Sequence, residues 1–249
     1  TCAVAFWLLV WHVVSLCVGS ELVLVSPVKV VQTLFTVIFD PDFLKTVWYS
    51  AARILGGFFT ALTLGTVLGW VASRFWVVET LLRPITAVIK ATPVASFIIL
   101  VLLWFSGKNL SVIISMLMVF PVIYMNVLEG IRSADEKLLE MAQVFRLSVG
   151  KKLLYIYLPA VAPFFVSACS VSLGLCWKSG IAAEVIGTPD GSIGAVFYQA
   201  KIFLQTSELL AWTVVVVAVS VAFEKLFMFL LRLVLKKLKM EDVLNGKRA

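Results

Sequence analysis

The stretch that decides the fold is GIRSADEKLLEMAQVFRLSVGKKLLYIYLP, residues 130–159, which we call the elbow. It is charged, yet it lies between two strongly apolar runs. Apolar residues recur at helical spacing with charges between them, which predicts an amphipathic helix whose apolar face is formed by Leu138, Leu139, Met141, Ala142 and Phe145. Ser148 and Gly150 favour a sharp turn, and a second short helix is predicted from Lys151 to Pro159. Since the first helix is too short to cross a bilayer, a partner or the membrane interface must cover its apolar face.

The composition on either side of the elbow is that of a membrane protein. Of 249 residues, 61% are hydrophobic and 14% are charged, and the mean hydropathy is +1.05. Soluble domains are usually about half apolar and about a quarter charged. The chain has no stretch of ordinary composition long enough for a soluble domain, so residues 1–249 are predicted to form a single membrane domain.

The apolar runs predict an all-α polytopic membrane protein. A helix needs about 20 apolar residues to cross the bilayer core. About six transmembrane helices are expected, at residues 2–19, 51–73, 84–105, 110–128, 159–180 and 209–232. The first run lacks a basic leading region and a cleavage site before a soluble domain, so we interpret it as a span rather than a signal peptide. The sequence begins at Thr1 without a methionine, and we expect further residues to precede it.

The basic residues between the spans predict the orientation. With a cytoplasmic N-terminus, the elbow side receives 13 Lys and Arg residues and the other side receives 6. The positive-inside rule then puts both termini, the elbow and the tail 233–249 in the cytoplasm, and the amphipathic segment 20–50 along the outer surface. The net charge of +7 therefore favours anionic lipid as a partner. There is no aromatic-interleaved basic face, so nucleic acid is not an expected partner.

Recognisable enzyme chemistry is not found in the sequence. The four cysteines lie in apolar runs without metal-ligand spacing, and we expect them to be small packing residues. The chain has no GxxxxGK[ST] stretch to cradle phosphate. We therefore expect neither catalytic residues nor a metal or cofactor site in this chain.

The elbow resembles the EAA loop of permeases from binding-protein-dependent ABC importers. Glu140-Met141-Ala142 corresponds to the E-A-A triplet, with methionine at the first alanine position. Gly150 matches the motif glycine, and Ile156-Tyr157-Leu158-Pro159 matches the closing I-x-L-P. The resemblance implies a type I importer fold and a coupling helix seated in a groove of the ATPase. It assigns this docking role to Glu140, Met141, Ala142, Gly150, Leu158 and Pro159.

Shorter motifs extend the resemblance over residues 26–232, towards the nitrate, sulfonate, taurine and thiamine-precursor branch. The branch implies a bacterial inner-membrane assembly with a second permease copy, two ABC ATPases that bind ATP and Mg, and an external substrate-binding protein. The motifs are Ser50-Ala51-Ala52-Arg53 with Gly56-Gly57-Phe58, Leu82-Arg83-Pro84 with Ala91-Thr92-Pro93, Phe105-Ser106-Gly107, and Ala183-Glu184 with Gly191-Ser192-Ile193-Gly194.

Two groups of residues are candidates for the transport pathway, because charges inside spans are costly and often functional. Lys90 precedes Thr92 and Pro93, where a proline can break the helix, and it could attract an anion or extend to the interface. Near the outer end of the fifth span, Lys178 and Glu184 could pair across the pathway entrance or act as interfacial anchors. Trp177 lies beside them.

Three functional alternatives remain open at this stage. Small anions such as nitrate, sulfonates or taurine are the expected substrates, whereas thiamine precursors or riboflavin-like molecules are the alternative within the branch. An ion-coupled secondary transporter is the alternative from another class. Such transporters usually contain paired repeats and intramembrane acid relays, and neither is apparent in the sequence.

Overall fold

The computed structural model describes residues 2–20 and 23–237, and all regular structure in them is helical, as predicted. Within these residues eleven helices follow one another, and a π-helical stretch, Leu153–Tyr157, lies between α8 and α9. The helices are α1 (Cys2–Val18), α2 (Pro27–Ile38), α3 (Phe43–Arg74), α4 (Trp76–Ala91), α5 (Val94–Leu102), α6 (Gly107–Arg132), α7 (Glu136–Val144), α8 (Val149–Lys152), α9 (Leu158–Gly187), α10 (Ile193–Ile202) and α11 (Thr206–Lys237).

Four helices of the described chain are long and apolar enough to cross a membrane. They are α3, α6, the continuous helix Val149–Gly187 and α11. The first predicted span coincides with the apolar α1, whose 17 residues are at the short end of the length that a span needs. Beside the shorter apolar α1, the described residues contain four such helices, or five if α4 and α5 together form one span; about six were expected.

The predicted third span, 84–105, is not one straight helix. It is divided between α4 and α5, whose axes meet at 106°. Pro93 lacks a backbone N–H and disfavours helical geometry at Thr92, which accounts for the break at this point.

Glycines let α3 and α6 lie side by side in the same direction. A Cβ on Gly65 would lie 3.0 Å from that of Ile123, and one on Gly69 would lie 3.0 Å from that of Val127. Such close approach is typical of small-xxx-small helix faces, and Gly65 and Gly69 form such a face on α3. α9 runs the opposite way, since Gly130 on α6 meets its first turns and Gly107 meets its last residue, Gly187.

The main core lies where α3, α6 and α9 meet. Ile54, Phe58, Ile123 and Leu173 are almost completely buried there. α11 covers this core from one side, and the rings of Phe58 and Phe227 are edge-to-face at 5.3 Å. The antiparallel arrangement gives the bundle two ends, which we call the elbow end and the opposite end.

The predicted outer segment 20–50 is divided between two helices. Ser26 caps α2 by accepting a hydrogen bond from the Lys29 amide, and α3 has already begun at Phe43. α2 packs against α11 at the opposite end, near the contact of Phe43 with Trp212. In the predicted tail 233–249, residues 233–237 continue α11 and residues 238–249 lie outside the described residues.

Candidate functional site

The elbow begins with a helix that is capped by a side chain. Asp135 precedes α7, and its Oδ1 accepts a hydrogen bond of 2.9 Å from the Lys137 amide. α7 ends at Val144, and the chain turns at Arg146, whose φ is +50°. The turn therefore uses a left-handed arginine rather than Gly150, which lies in the first turn of the next helix.

The predicted second short helix of the elbow is not separate. α8, the π-helical stretch and α9 form one helix of 39 residues, Val149–Gly187. The extra residue per turn in a π-helical stretch lets the chain continue without a break. The far side of the elbow is thus rigidly joined to a membrane-spanning helix.

The elbow carries two apolar faces, where the sequence predicted one. The inward face is a small core of Ala134, Ala142 and Ile156, with Leu139 and Leu147 packed against it. The outward face has no covering element within the described chain. Its exposed residues are Leu138 (42%), Met141 (46%), Val144 (80%), Phe145 (71%) and Val149 (81%).

The residues assigned to the EAA motif are distributed over both sides of the elbow. Glu140, Met141 and Gly150 face outwards, and no heavy atom lies within 4 Å of the position of a Cβ on Gly150. Ala142 is completely buried in the inward core, so its small size serves packing within the elbow. Leu158 and Pro159 are partly buried in the first turn of α9.

A charged cluster at the base of the elbow was missed by the sequence analysis. Oε2 of Glu79 on α4 accepts a hydrogen bond of 2.5 Å from Nη2 of Arg132, the last residue of α6. Arg83, one turn along α4, lies 3.4 Å from the other carboxylate oxygen. The Glu79 side chain is 12% exposed. The i,i+4 spacing of Glu79 and Arg83 was visible in the sequence, but only the fold brings Arg132 to them.

The first group of pathway candidates lies at the break between α4 and α5. Nζ of Lys90 lies 3.4 Å from Sδ of Met125 on α6, and the lysine is exposed. Thr92 is at the break, where its hydroxyl donates to the Val88 carbonyl, and Pro93 follows directly. The three residues lie next to one another, and their role in a pathway remains a prediction.

The second group does not form the ion pair that was one of its two alternatives. Lys178 is exposed, whereas Glu184 is completely buried and Trp177 is 2% exposed. Among the described residues, no acidic group lies within ion-pair distance of Lys178. On α9 the two residues are six positions apart, which turns them towards different surroundings.

Glu184 instead ties three helices together. Its Oε2 accepts a 2.6 Å hydrogen bond from Oγ of Ser50 on α3 and a 3.4 Å hydrogen bond from the Gly194 amide. The Ser50 hydroxyl in turn accepts from the Ile193 amide at 2.9 Å. These amides open α10, so the carboxylate stabilises a helix N-terminus, where negative charge is favoured. A Cβ at Gly194 would clash with Glu184, which explains the glycine at this position.

Metal-ligand clusters are not found among residues 2–20 and 23–237, where no three His, Cys, Asp or Glu side chains come together. The features that the arrangement offers are an exposed apolar elbow, a charged cluster that joins two helices, and a broken helix at the other end of α4.

Comparisons with known proteins agree with this arrangement. Residues 57–240 match the family described as "Binding-protein-dependent transport system inner membrane component". The putative aliphatic sulfonates transport permease protein of Bacillus subtilis is 29% identical over 214 residues, which cover 85% of this chain and 77% of that protein. The taurine transport system permease protein of Escherichia coli is 27% identical over 220 residues, 86% of this chain and 80% of its own length.

A nitrate import permease protein of Synechococcus elongatus is 25% identical over 238 residues, which cover 83% of this chain and 84% of the relative. The resemblance to the nitrate, sulfonate and taurine permeases is thereby confirmed. This chain belongs to the family of binding-protein-dependent transport system inner membrane components.

Proposed function

We propose that this chain is the permease subunit of an ABC importer, and that its elbow couples the membrane helices to a separate ATPase. The observation that carries the proposal is the outward apolar face of the elbow. On a surface that faces water, an exposed cluster of large apolar side chains marks an interaction site. Membership of the family makes an ATPase the expected occupant.

The packing of the elbow is suited to transmit force from a bound partner to the membrane helices. Its inward core fixes α7 against the long helix Val149–Gly187, so a load applied to the outward face reaches a membrane-spanning helix directly. Met141, at the position of an alanine in the motif, is 46% exposed on that face. A flexible methionine side chain can adapt to the surface of a partner.

We further propose the assembly and its orientation. Two permease copies pair, two ATPases bind ATP and Mg at the elbow end, and an external binding protein delivers substrate at the opposite end. Arg74 and Arg132 end α3 and α6 at the elbow end, and Lys151 lies in the elbow itself. This bias supports a bacterial cytoplasmic membrane with the elbow and both termini in the cytoplasm.

Small anions are the proposed substrates. The relatives carry the names of permeases for aliphatic sulfonates, taurine and nitrate. Lys90 at the break between α4 and α5 provides a positive charge for such a substrate. The names of these relatives give no support to a thiamine precursor or a riboflavin-like molecule.

Docking is tested by Met141→Asp in the complex purified with its ATPase. A buried, unpaired carboxylate in the interface is strongly unfavourable, so we expect at least a tenfold loss of co-purified ATPase. The matched control is Gln143→Asp, which adds the same charge at another exposed position of α7 and should retain the ATPase.

Retention of the ATPase by Met141→Asp, together with normal transport, would contradict the docking assignment. Uptake that persists under an ion gradient after the partner ATPase is disabled would favour the secondary transporter instead.

A further inference from the structure

The charged cluster of Glu79, Arg83 and Arg132 connects α4 to the start of the elbow. The proposed function gives this connection no role. The Arg132 side chain is 50% exposed, whereas the Glu79 side chain is 12% exposed and sits against α6. A charge-assisted bond to a largely buried carboxylate is among the stronger polar contacts in a protein. It fixes the first turn of α4 to the last residue of α6.

On one side, this contact leads directly into the elbow. Arg132 is followed by Ser133 and then by Ala134, which is buried in the inward core with Ala142. Only two peptide bonds therefore separate Arg132 from the inward core of the elbow. This short connection gives a displacement of the inward core a direct route to the residue that holds Glu79.

On the other side, the contact leads along α4 to the broken helix. α4 has 16 residues and is about 24 Å long at 1.5 Å per residue. Its apolar side chains Val78 and Leu82 pack against Tyr124 and Leu128 of α6. Glu79 is at one end of this helix, and the 106° bend into α5 is at the other.

We propose that the Glu79–Arg132 ion pair is the joint that transmits movement of the elbow along α4 to the break at Thr92–Pro93. Glu79 and Arg132 are then positioning residues of the transport cycle, with no contact to the nucleotide. This inference rests on the proposed function. Arg83 contributes little, because its side chain is 79% exposed and its 3.4 Å contact is open to solvent or headgroups.

The experiment measures transport per ATP hydrolysed in vesicles containing the permease, its ATPase and the binding protein. Glu79→Gln keeps the shape and an acceptor oxygen but removes the charge. We expect this variant to retain the bound ATPase and its ATP hydrolysis. Transport per ATP should fall about fivefold or more, because typical coupling free energies correspond to changes of that size. Arg83→Gln is the matched control and should stay within about twofold of the wild type.

A second arm separates transmission from simple structural support. Arg132→Gln should give the same loss as Glu79→Gln, and the double variant should be no worse than either single variant, as for two residues in one interaction. A purely structural pair would lower thermal stability and reduce hydrolysis and transport in proportion. That proportional result, or a double variant with multiplied losses, would overturn the inference.

Two further outcomes keep this inference distinct from the proposed function. Loss of the ATPase from Glu79→Gln would make the pair part of docking and would overturn its role in transmission. Normal transport per ATP in both single variants, beside a wild-type complex that imports with ATP, would overturn the joint and leave the docking assignment intact.

Discussion

At the scale of single residues, Glu184 shows that the fold decides which partner a charged side chain has. The sequence marks it as a functional candidate, since it is an acid in an apolar helix followed by Gly191-Ser192. Pairing with the nearby Lys178 was one of two alternatives from the sequence, but the carboxylate bonds to Ser50, which is 134 positions away along the chain. A contact of that separation is set by the packing of α3 on α9 and cannot be inferred from spacing.

The contribution of this contact to stability is tested by Ser50→Ala. The substitution removes the shortest hydrogen bond to a completely buried carboxylate and also leaves the Ile193 amide without its acceptor. We expect the free energy of unfolding to fall by about 1–3 kcal/mol. Thermal unfolding of the purified permease in detergent provides the measurement.

The control for that measurement is Thr60→Ala on the same helix. The Thr60 hydroxyl is exposed and donates only to the carbonyl of Gly56 one turn earlier. We expect a change within about 0.5 kcal/mol. An equal loss in both variants would show that Ser50 does no more than an ordinary helix hydroxyl.

At the scale of helices, regular periodicity could be predicted and its interruptions could not. The apolar length of α3, α6 and α11 follows from the sequence. Helical spacing in the elbow gave one apolar face, whereas the side chains divide between a small core and an exposed surface. The division depends on Ala134 and Ile156, which lie in the elbow but outside α7, so the pattern within α7 could not reveal it.

Close packing of α3 on α6 is tested by a pair of neighbouring glycines. A Cβ on Gly57 would collide with the backbone carbonyl of Val112, whereas one on Gly56 would meet no atom within 4 Å. We expect Gly57→Ala to lower the free energy of unfolding by about 1–3 kcal/mol, because a backbone atom cannot rotate away.

Gly56→Ala is the control for this seam and should be neutral or slightly stabilising, since alanine is the better helix former. The stabilities of the two variants are compared by thermal unfolding in the same detergent. Equal stability of the two variants would mean that α3 and α6 do not approach as closely as described.

At the scale of the whole molecule, the distribution of charge and the arrangement of the helices support the same orientation in the membrane. The elbow, the ends of α3 and α6 and the last residues of α11 share one end of the bundle, and that end carries most of the basic residues of the described chain. The sequence predicted this bias from the loops alone. It could not predict that α4 turns by 106° into α5, because local composition does not determine the angle between two helices.

The most direct test of the account labels the elbow with a membrane-impermeant maleimide. Val144→Cys, whose parent side chain is 80% exposed, is introduced into a chain in which Cys2, Cys17, Cys169 and Cys176 are replaced by serine or alanine. Phe39→Cys at the opposite end, where the parent side chain is 81% exposed, is the matched control. Both variants are labelled in right-side-out and inside-out vesicles, with and without bound ATPase.

We predict that Val144→Cys reacts only in inside-out vesicles and is protected at least tenfold by the ATPase. Phe39→Cys should react only from the outside and be unaffected by the ATPase. Labelling of Val144→Cys from the outside, or labelling at the same rate with the ATPase bound, would contradict the assignment of the elbow as the cytoplasmic docking site.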